Sequence, residues 1–162
     1  GKLEAYEESI RLPMMARYPR LIKAGQRVDN FLINVDLAPT ILDFCGVKPQ
    51  APMQGRSWRP LVTGKAGSTR WRDVFLYEMF QARSDPATPT VKALRTDRYK
   101  LILNLNPAEF EELYDLKTDP LEMKNLALDK GNRDLVGKLK RQMLAVMREL
   151  EDPAIPAVEA TV

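Results

Sequence analysis

The chain has 162 residues, 44% of them hydrophobic and 29% charged, enough for one compact domain with a real core and little more. No run approaches the roughly 20 consecutive apolar residues of a membrane span, and a net charge of +3 from 25 basic and 22 acidic residues is too slight and dispersed for the basic stripe of a nucleic-acid binder. With no histidine and one cysteine, the chain excludes a Ser-His-Asp or Cys-His nucleophile system, a His-rich metal site and an internal disulfide within these residues.

In chain order, residues 1–12 are polar without a clean period and read as a loop or helix fringe. Pro13–Tyr18 is a short apolar run closed by Pro19, predicting a strand. Lys23-Ala24-Gly25 is a turn signal, and Val28–Val35 has extended character. Asp36–Cys45 predicts a helix: Asp36 suits the N-cap, Pro39 falls in the first turn, Leu37, Ile41, Leu42 and Phe44 supply an apolar stripe, and Gly46 is a stop. Residues 47–70 are broken by Pro and Gly, with room for a short helix near Trp58–Val62. From Trp71 the pattern turns to β: Val74–Tyr77, then Thr90–Arg95 and Tyr99–Leu103 flanking a Thr96-Asp97-Arg98 hairpin turn, then Glu112–Leu116. Asn132–Leu150 predicts a long amphipathic helix, with Leu135, Leu139, Met143, Val146 and Leu150 three or four residues apart, Asn132 as cap and Asp134 in the first turn. Pro153 ends it, and Ala154–Val162 reads as a frayed tail.

This order predicts an α+β fold in which a small antiparallel sheet packs against a long C-terminal helix. The change of pattern at Trp71 divides the chain into a segment 1–70, a small subdomain over 71–152 and a tail over 153–162; that 1–70 is the remnant of a larger α/β domain is what the family resemblance set out next implies.

Six stretches in register resemble the sulfatases of the alkaline-phosphatase-like superfamily. These are Gly1-Lys2 with Tyr6-Glu7-Glu8-Ser9-Ile10-Arg11; Asn34-Val35-Asp36-Leu37-Ala38-Pro39-Thr40; Met53-Gln54-Gly55-Arg56-Ser57; Ala93-Leu94-Arg95-Thr96-Asp97-Arg98-Tyr99-Lys100-Leu101-Ile102; Glu112-Leu113-Tyr114-Asp115-Leu116; and Asp119-Pro120-Leu121-Glu122-Met123-Lys124-Asn125-Leu126. The narrower resemblance is to the bacterial enzymes acting on carbohydrate sulfates. It implies that this chain is the C-terminal region of a sulfuric ester hydrolase, with roughly 300 residues upstream, inactive alone, and lacking the N-terminal catalytic domain.

By the same resemblance Lys2 is the lysine that contacts the sulfate. An ammonium with three donors suits negative charge building on sulfuryl and leaving oxygens. Arg11, Lys92 and Arg95 are weaker candidates for contact with an anionic sugar; Lys92, Arg95, Arg98 and Lys100 equally suit a solvated hairpin face. Glu7 and Glu8 are consecutive, so their side chains diverge, and they are expected to hold the loop by ion pairs, Arg11 among the partners. Cys45 lacks the Cys-x-Pro/Ala-x-Arg setting that formylglycine formation needs and reads as a buried small hydrophobe. Asp29, Asp36 and Asp43 are too far apart for a calcium loop. No metal or cofactor is therefore expected in this chain, while the resemblance implies calcium and formylglycine in the full-length parent, and a sulfated small molecule or glycan as its substrate.

Two other readings stand beside this one. A freestanding carbohydrate-binding or interaction module would use Trp58 or Trp71 for stacking, although such residues, like Tyr77, usually fill core. A phosphonate or phosphodiester hydrolase would share the scaffold. If a larger domain is missing, apolar faces around Met14, Met15, Leu32, Ile33 and Ile41 should be partly exposed or covered by a neighbouring chain, which leaves self-association open. A periplasmic or secreted location is typical of the resembled family and is carried by no residue here.

Overall fold

Alternating apolar and polar residues along 74–115 produce a four-stranded antiparallel sheet in the simple order β1-β2-β3-β4: β1 Val74–Met79, β2 Thr90–Thr96, β3 Tyr99–Asn106 and β4 Glu111–Asp115. The computed structural model describes residues 4–49, 51–65, 67, 69–81, 88–106 and 110–162. The chain divides into two compact units, one formed by Gly1–Leu12 with Val74–Val162 and the other by Pro13–Asp73. Residues 4–12 group with the sheet-bearing unit and not with 13–73.

The period of two gives the sheet two different faces. One face carries Leu94, Leu101, Leu103 and Leu113 and is covered by α4 (Arg133–Glu149) through Val136, Leu139, Met143, Leu144 and Met147. The buried line of α4 is therefore rotated slightly from the stripe expected at Leu135, Val146 and Leu150, which are only half-buried. The β2–β3 turn needs no glycine, because Asp97 and Arg98 both avoid positive φ. Thr96 closes the turn instead: its Oγ1 accepts from the Tyr99 N–H at 2.8 Å and donates to the Tyr99 carbonyl at 3.0 Å.

Three local expectations change. Asn132 does not cap α4 with its side chain; its Nδ2 donates to the Leu126 carbonyl. The 154–162 segment is no frayed tail: it forms α5 (Ile155–Glu159), whose Val158 is fully buried against the α4 side of the core. The edge of β4 is covered by Asn125, whose Oδ1 accepts from Leu113 N–H at 3.0 Å while its Nδ2 donates to the Glu111 carbonyl at 3.1 Å. One amide thus satisfies edge groups that would otherwise need another strand.

The second unit is organised by polar hubs. A short 3-10 turn over Asn34–Asp36 leads into α2 (Leu37–Phe44), and α3 spans Arg59–Val62. Gly46 ends α2 at φ 70°, and the Gly46 N–H to Asp43 and Val47 N–H to Leu42 bonds make a Schellman closure. Asp36 makes no side-chain cap on α2. It is fully buried, accepting from Ile33 N–H at 3.0 Å and Arg56 N–H at 2.8 Å and pairing with the Arg72 guanidinium through both oxygens. Thr40 Oγ1 accepts from the Trp58 N–H at 3.1 Å. The backbone at Gly55 passes so close to Val35 that a Cβ would lie 1.9 Å from its carbonyl oxygen, so only glycine fits. These bonds set Trp58, Leu61 and Val62 in a small core with Ile22, Leu32, Phe44 and Trp71.

Pro13–Tyr18 does not form a strand. The segment is exposed and unpaired, and a strand exists only where a partner satisfies its N–H and C=O groups. Cys45 is exposed just after α2 instead of buried, because α2 turns Pro39, Thr40 and Phe44 inward and the residue that follows it lies outside the small core. Met15 is 96% exposed and Ile41 61%, while Leu32 and Ile33 are half-buried.

Asp36→Ala should destabilise the protein by about 3–5 kcal/mol, since it strands a buried guanidinium and two amides; Met15→Ala should stay within about 0.5 kcal/mol. Equilibrium urea unfolding of the two variants against the parent chain measures the contrast.

Candidate functional site

The second face of the sheet carries Val91 and Ala93 from β2, Ile102 from β3 and Tyr114 from β4, and it is covered by the N-terminal segment through Ala5 and Tyr6. Ala5 is fully buried; its small side chain lets the backbone lie close to the sheet. Tyr6 packs edge-on against Tyr114 with ring centroids 6.1 Å apart. Both phenols donate to Glu112 Oε2, at 2.8 Å from Tyr6 and 2.5 Å from Tyr114. Burial, then the Glu112 carboxylate, push the Tyr6 phenol up to about 12 and the Tyr114 phenol higher still.

Beside this apolar contact lies a dry cluster of two cations and two carboxylates. Lys100 points from β3 to the same face as Ile102. Its fully buried ammonium donates to the Ala5 carbonyl at 2.8 Å and pairs with Glu122 Oε1 at 2.5 Å and Glu7 Oε1 at 3.0 Å. Glu122 Oε2 accepts from the Glu7 N–H at 2.6 Å, where α1 (Glu7–Ile10) begins. Arg95 reaches Glu7 from β2 at 3.2 Å and also donates to the Thr96 carbonyl.

Glu122 comes to this cluster with φ 56°, a left-handed conformation that costs a non-glycine residue about 1 kcal/mol. The preceding turn supports it: Asp119 accepts from the Met123 and Lys124 N–H groups at 3.1 and 2.9 Å. The Asp119-Pro120 turn starter thus serves to aim one carboxylate at the sheet.

Of the residues proposed from sequence, Lys2 lies outside the described residues. Arg11 is exposed and forms no ion pair among them, so it does not hold Glu7 or Glu8. Glu7 does hold the loop as expected, with Arg95 and Lys100 as its partners; Glu8 is exposed. Lys92 does not sit on a solvated face. It is fully buried on the α4 side of the sheet, paired with Glu78 and, at 2.6 Å, with Asp152. Arg95 is largely buried in the Glu7 cluster. Of the hairpin cations, only Arg98 keeps a half-exposed side chain, paired with Asp115 at 2.7 Å. Trp58 fills core, and Trp71 is fixed by its Nε1 donating to the Phe31 carbonyl at 2.7 Å.

In the sequence Glu122 stands only as a motif residue, and Lys100 only as one of four hairpin cations suited to an anionic sugar or to a solvated face. The signal for Lys100 was available: in β3 it shares parity with Ile102, which puts a cation on a buried face. Nothing in the local sequence around Glu122 points to its partner.

The electrostatics favour holding over proton transfer. Burial pushes the Glu7 carboxyl up, but the Arg95 and Lys100 hydrogen bonds pull it down further, leaving it below the ordinary range. Asp152 is likewise lowered: burial raises it, and the Lys92 hydrogen bond with the Ala154 N–H outweighs that. A general acid needs the opposite shift. Among the described residues no three acidic, cysteine or histidine side chains converge.

Because both carboxylates have lower pKa values folded than unfolded, their stabilisation is complete above the unfolded value near 4 and is lost as pH falls through the folded values. Denaturant unfolding from neutral pH down should show stability falling below about pH 4, with a shallower fall in Glu7→Gln, in which that carboxyl no longer titrates.

Residues 2–149 match the family described as N-sulphoglucosamine sulphohydrolase, C-terminal. The chain is similar to an N-acetylglucosamine-6-O-sulfatase of Bacteroides thetaiotaomicron, 37% identical over 122 residues that make up 75% of this chain and 22% of that protein. It is also similar to an endo-4-O-sulfatase of the same organism, 30% identical over 166 residues, 94% of this chain and 32% of that one. Its fold superposes with a TM-score of 0.74 and 30% identity on the solved structure of a protein in complex with its substrate D-glucosamine-2-N,6-O-disulfate, covering 85% of this chain and 28% of the other. The chain thus spans about a fifth to a third of the length of these relatives.

Proposed function

The chain belongs to the C-terminal family of N-sulphoglucosamine sulphohydrolase, and from that membership we propose that it is the C-terminal part of a sulfatase that hydrolyses sulfate esters of carbohydrates. The observation that carries this reading is the family match over residues 2–149, in a chain that spans only 22% and 32% of its curated sulfatase relatives.

In this reading Lys2 works at the sulfate. As the ester cleaves, negative charge grows on the sulfuryl and leaving oxygens, and an ammonium held beside them in a water-poor site stabilises that charge more than it stabilises the substrate. The formylglycine and the calcium ion used by such enzymes belong to the remaining portion of the protein, as does most of the substrate-binding wall. The isolated chain therefore has no turnover.

Exposed apolar residues in the second unit support this. Met14, Met15, Leu37, Ile41 and Val47 all lie open, α2 is apolar on its outer as well as its inner side, and Pro13–Tyr18 pairs with no strand among the described residues. A larger domain supplying apolar cover and strand pairing would account for all of them.

The test compares the 162-residue chain with the full-length protein on 6-O-sulfated N-acetylglucosamine, an aryl sulfate and a phosphonate monoester. The full-length protein should hydrolyse a sulfate ester fastest, the isolated chain none. In the full-length protein Lys2→Ala should lower kcat by about 10²–10³, the scale of removing one donor to a developing oxyanion. Turnover by the isolated chain, or preference for the phosphonate, would overturn the reading.

A further inference from the structure

We propose that a cleft beside the first half of α4 binds a sulfated sugar unit of a glycan. The site is read from side chains of the sheet-bearing unit; only the choice of sulfate among anions rests on the sulfatase reading. Its walls are the 3-10 turns Leu126–Leu128 and Lys130–Asn132, α4, Glu111 of β4 and residues 161–162. Its volume is about 570 Å³, inside the range of about 300–1,000 Å³ for small-molecule sites.

The helical period builds one side of it. Arg133, Val136, Gly137 and Lys140 recur every three or four residues and so share a flank of α4, and each borders the cleft. Glycine is a poor helix-interior residue, and packing does not demand it here: a Cβ on Gly137 would meet only Arg141 Nη1, at 3.4 Å. Its effect is to leave the floor of the cleft open beside the Arg141 guanidinium. Val136, with Ala127 and Leu128 from the preceding turn, adds apolar surface, and Leu128 is 83% exposed.

Lys140 holds the walls together. Its side chain is 7% exposed, and its ammonium pairs with Glu111 at 2.7 Å and donates to the Thr161 carbonyl at 2.5 Å. Strand β4, helix α4 and the segment after α5 thus meet at one cation. Thr161 and Val162 lie beyond residues 2–149, the span matched by the family, so this wall is an addition to what the family match covers.

The side chains select the ligand. Lys140 and Glu111 neutralise each other, while Lys130 and Arg133 are exposed and form no ion pair among the described residues. That surplus of positive charge calls for an anion, and a guanidinium fork suits the oxygens of a sulfo group. The apolar surface in the same cleft suits the C–H face of a sugar ring, and the half-exposed Glu111 carboxylate can accept a hydroxyl. A bare anion would use only the cations and a neutral sugar only the remainder; a sulfated sugar uses both.

The test is hydrogen exchange on the full-length protein, read peptide by peptide. The probes are a sulfated hexasaccharide of glucosamine and uronic acid, the same chain desulfated, and inorganic sulfate. The sulfated chain should slow exchange in residues 126–141 and 158–162. Lys130→Ala with Arg133→Ala, both at exposed positions, should raise the concentration needed about tenfold, the scale of two lost surface charge contacts. Gly137→Leu keeps every charge, raises helix propensity and fills the cleft floor, so it should abolish the protection as a site made of charge alone would not. No protection of these segments, or undiminished protection in either variant, would overturn the site. Equal protection by the desulfated chain or by inorganic sulfate would overturn its assignment to a sulfated sugar. A protein that shows the protection yet hydrolyses no sulfate ester would overturn the sulfatase reading and leave the site standing.

Discussion

The ammonium of Lys100 is the constraint around which the sheet-bearing unit is arranged. Taking a charge of that size out of water costs several kcal/mol, and no single partner repays it. Here the compensation comes from three directions at once: the Ala5 carbonyl, the Glu7 carboxylate and the Glu122 carboxylate. Those partners lie at opposite ends of the sequence, so satisfying one side chain forces the N-terminal segment and the turn after β4 onto the same face of β3. Remove Lys100 and the Glu122 carboxylate is left buried without its cation, which makes the arrangement specific even where it adds little net stability.

The same device recurs with the signs reversed. In the second unit the buried anion is Asp36, compensated by Arg72 and by two backbone amides. On the helix side of the sheet Lys92 is compensated by Glu78 and Asp152, which ties β1 and β2 to the turn between α4 and α5. The apolar clusters of this chain are small, and a few directional contacts supply a uniqueness that modest apolar burial does not. Residues that look like potential active-site chemistry in the sequence, such as Glu7 and the hairpin cations Lys92, Arg95 and Lys100, are held in these buried ion pairs. The depressed carboxyl pKa values of Glu7 and Asp152 are those of ion-pair holders, and Lys2 is left as the group to which the sulfatase proposal gives chemistry.

Strands β1 to β4 and the long helix α4 were legible because each follows one period over enough residues to state its own geometry: two for the strands, three to four for the helix. The Schellman closure at Gly46 and the short helix beyond Trp58 were legible from local chemistry. The misreadings share a cause. Lys92, Arg95 and Lys100 read as surface cations because charge usually marks solvent, whereas strand parity already places Lys100 on the face of Ile102. Pro13–Tyr18 looks like a strand because its composition suits one, yet no partner among the described residues pairs with it. Cys45 looked buried because it ends an apolar helix, but α2 turns a different side inward.

The sequence by itself determined the four strands, the long helix, their order and the α+β class, because backbone propensity and hydrophobic period act over a few residues. It also carried the six motifs by which the family was recognised. Only the tertiary structure decided which charges meet, since the pairings of Glu7 with Lys100, Glu122 with the Glu7 amide, and Lys92 with Asp152 join residues 60 to 115 positions apart. Such contacts leave no local period. They exist because folding removes water from both partners at once, and a buried charge then has nowhere else to turn.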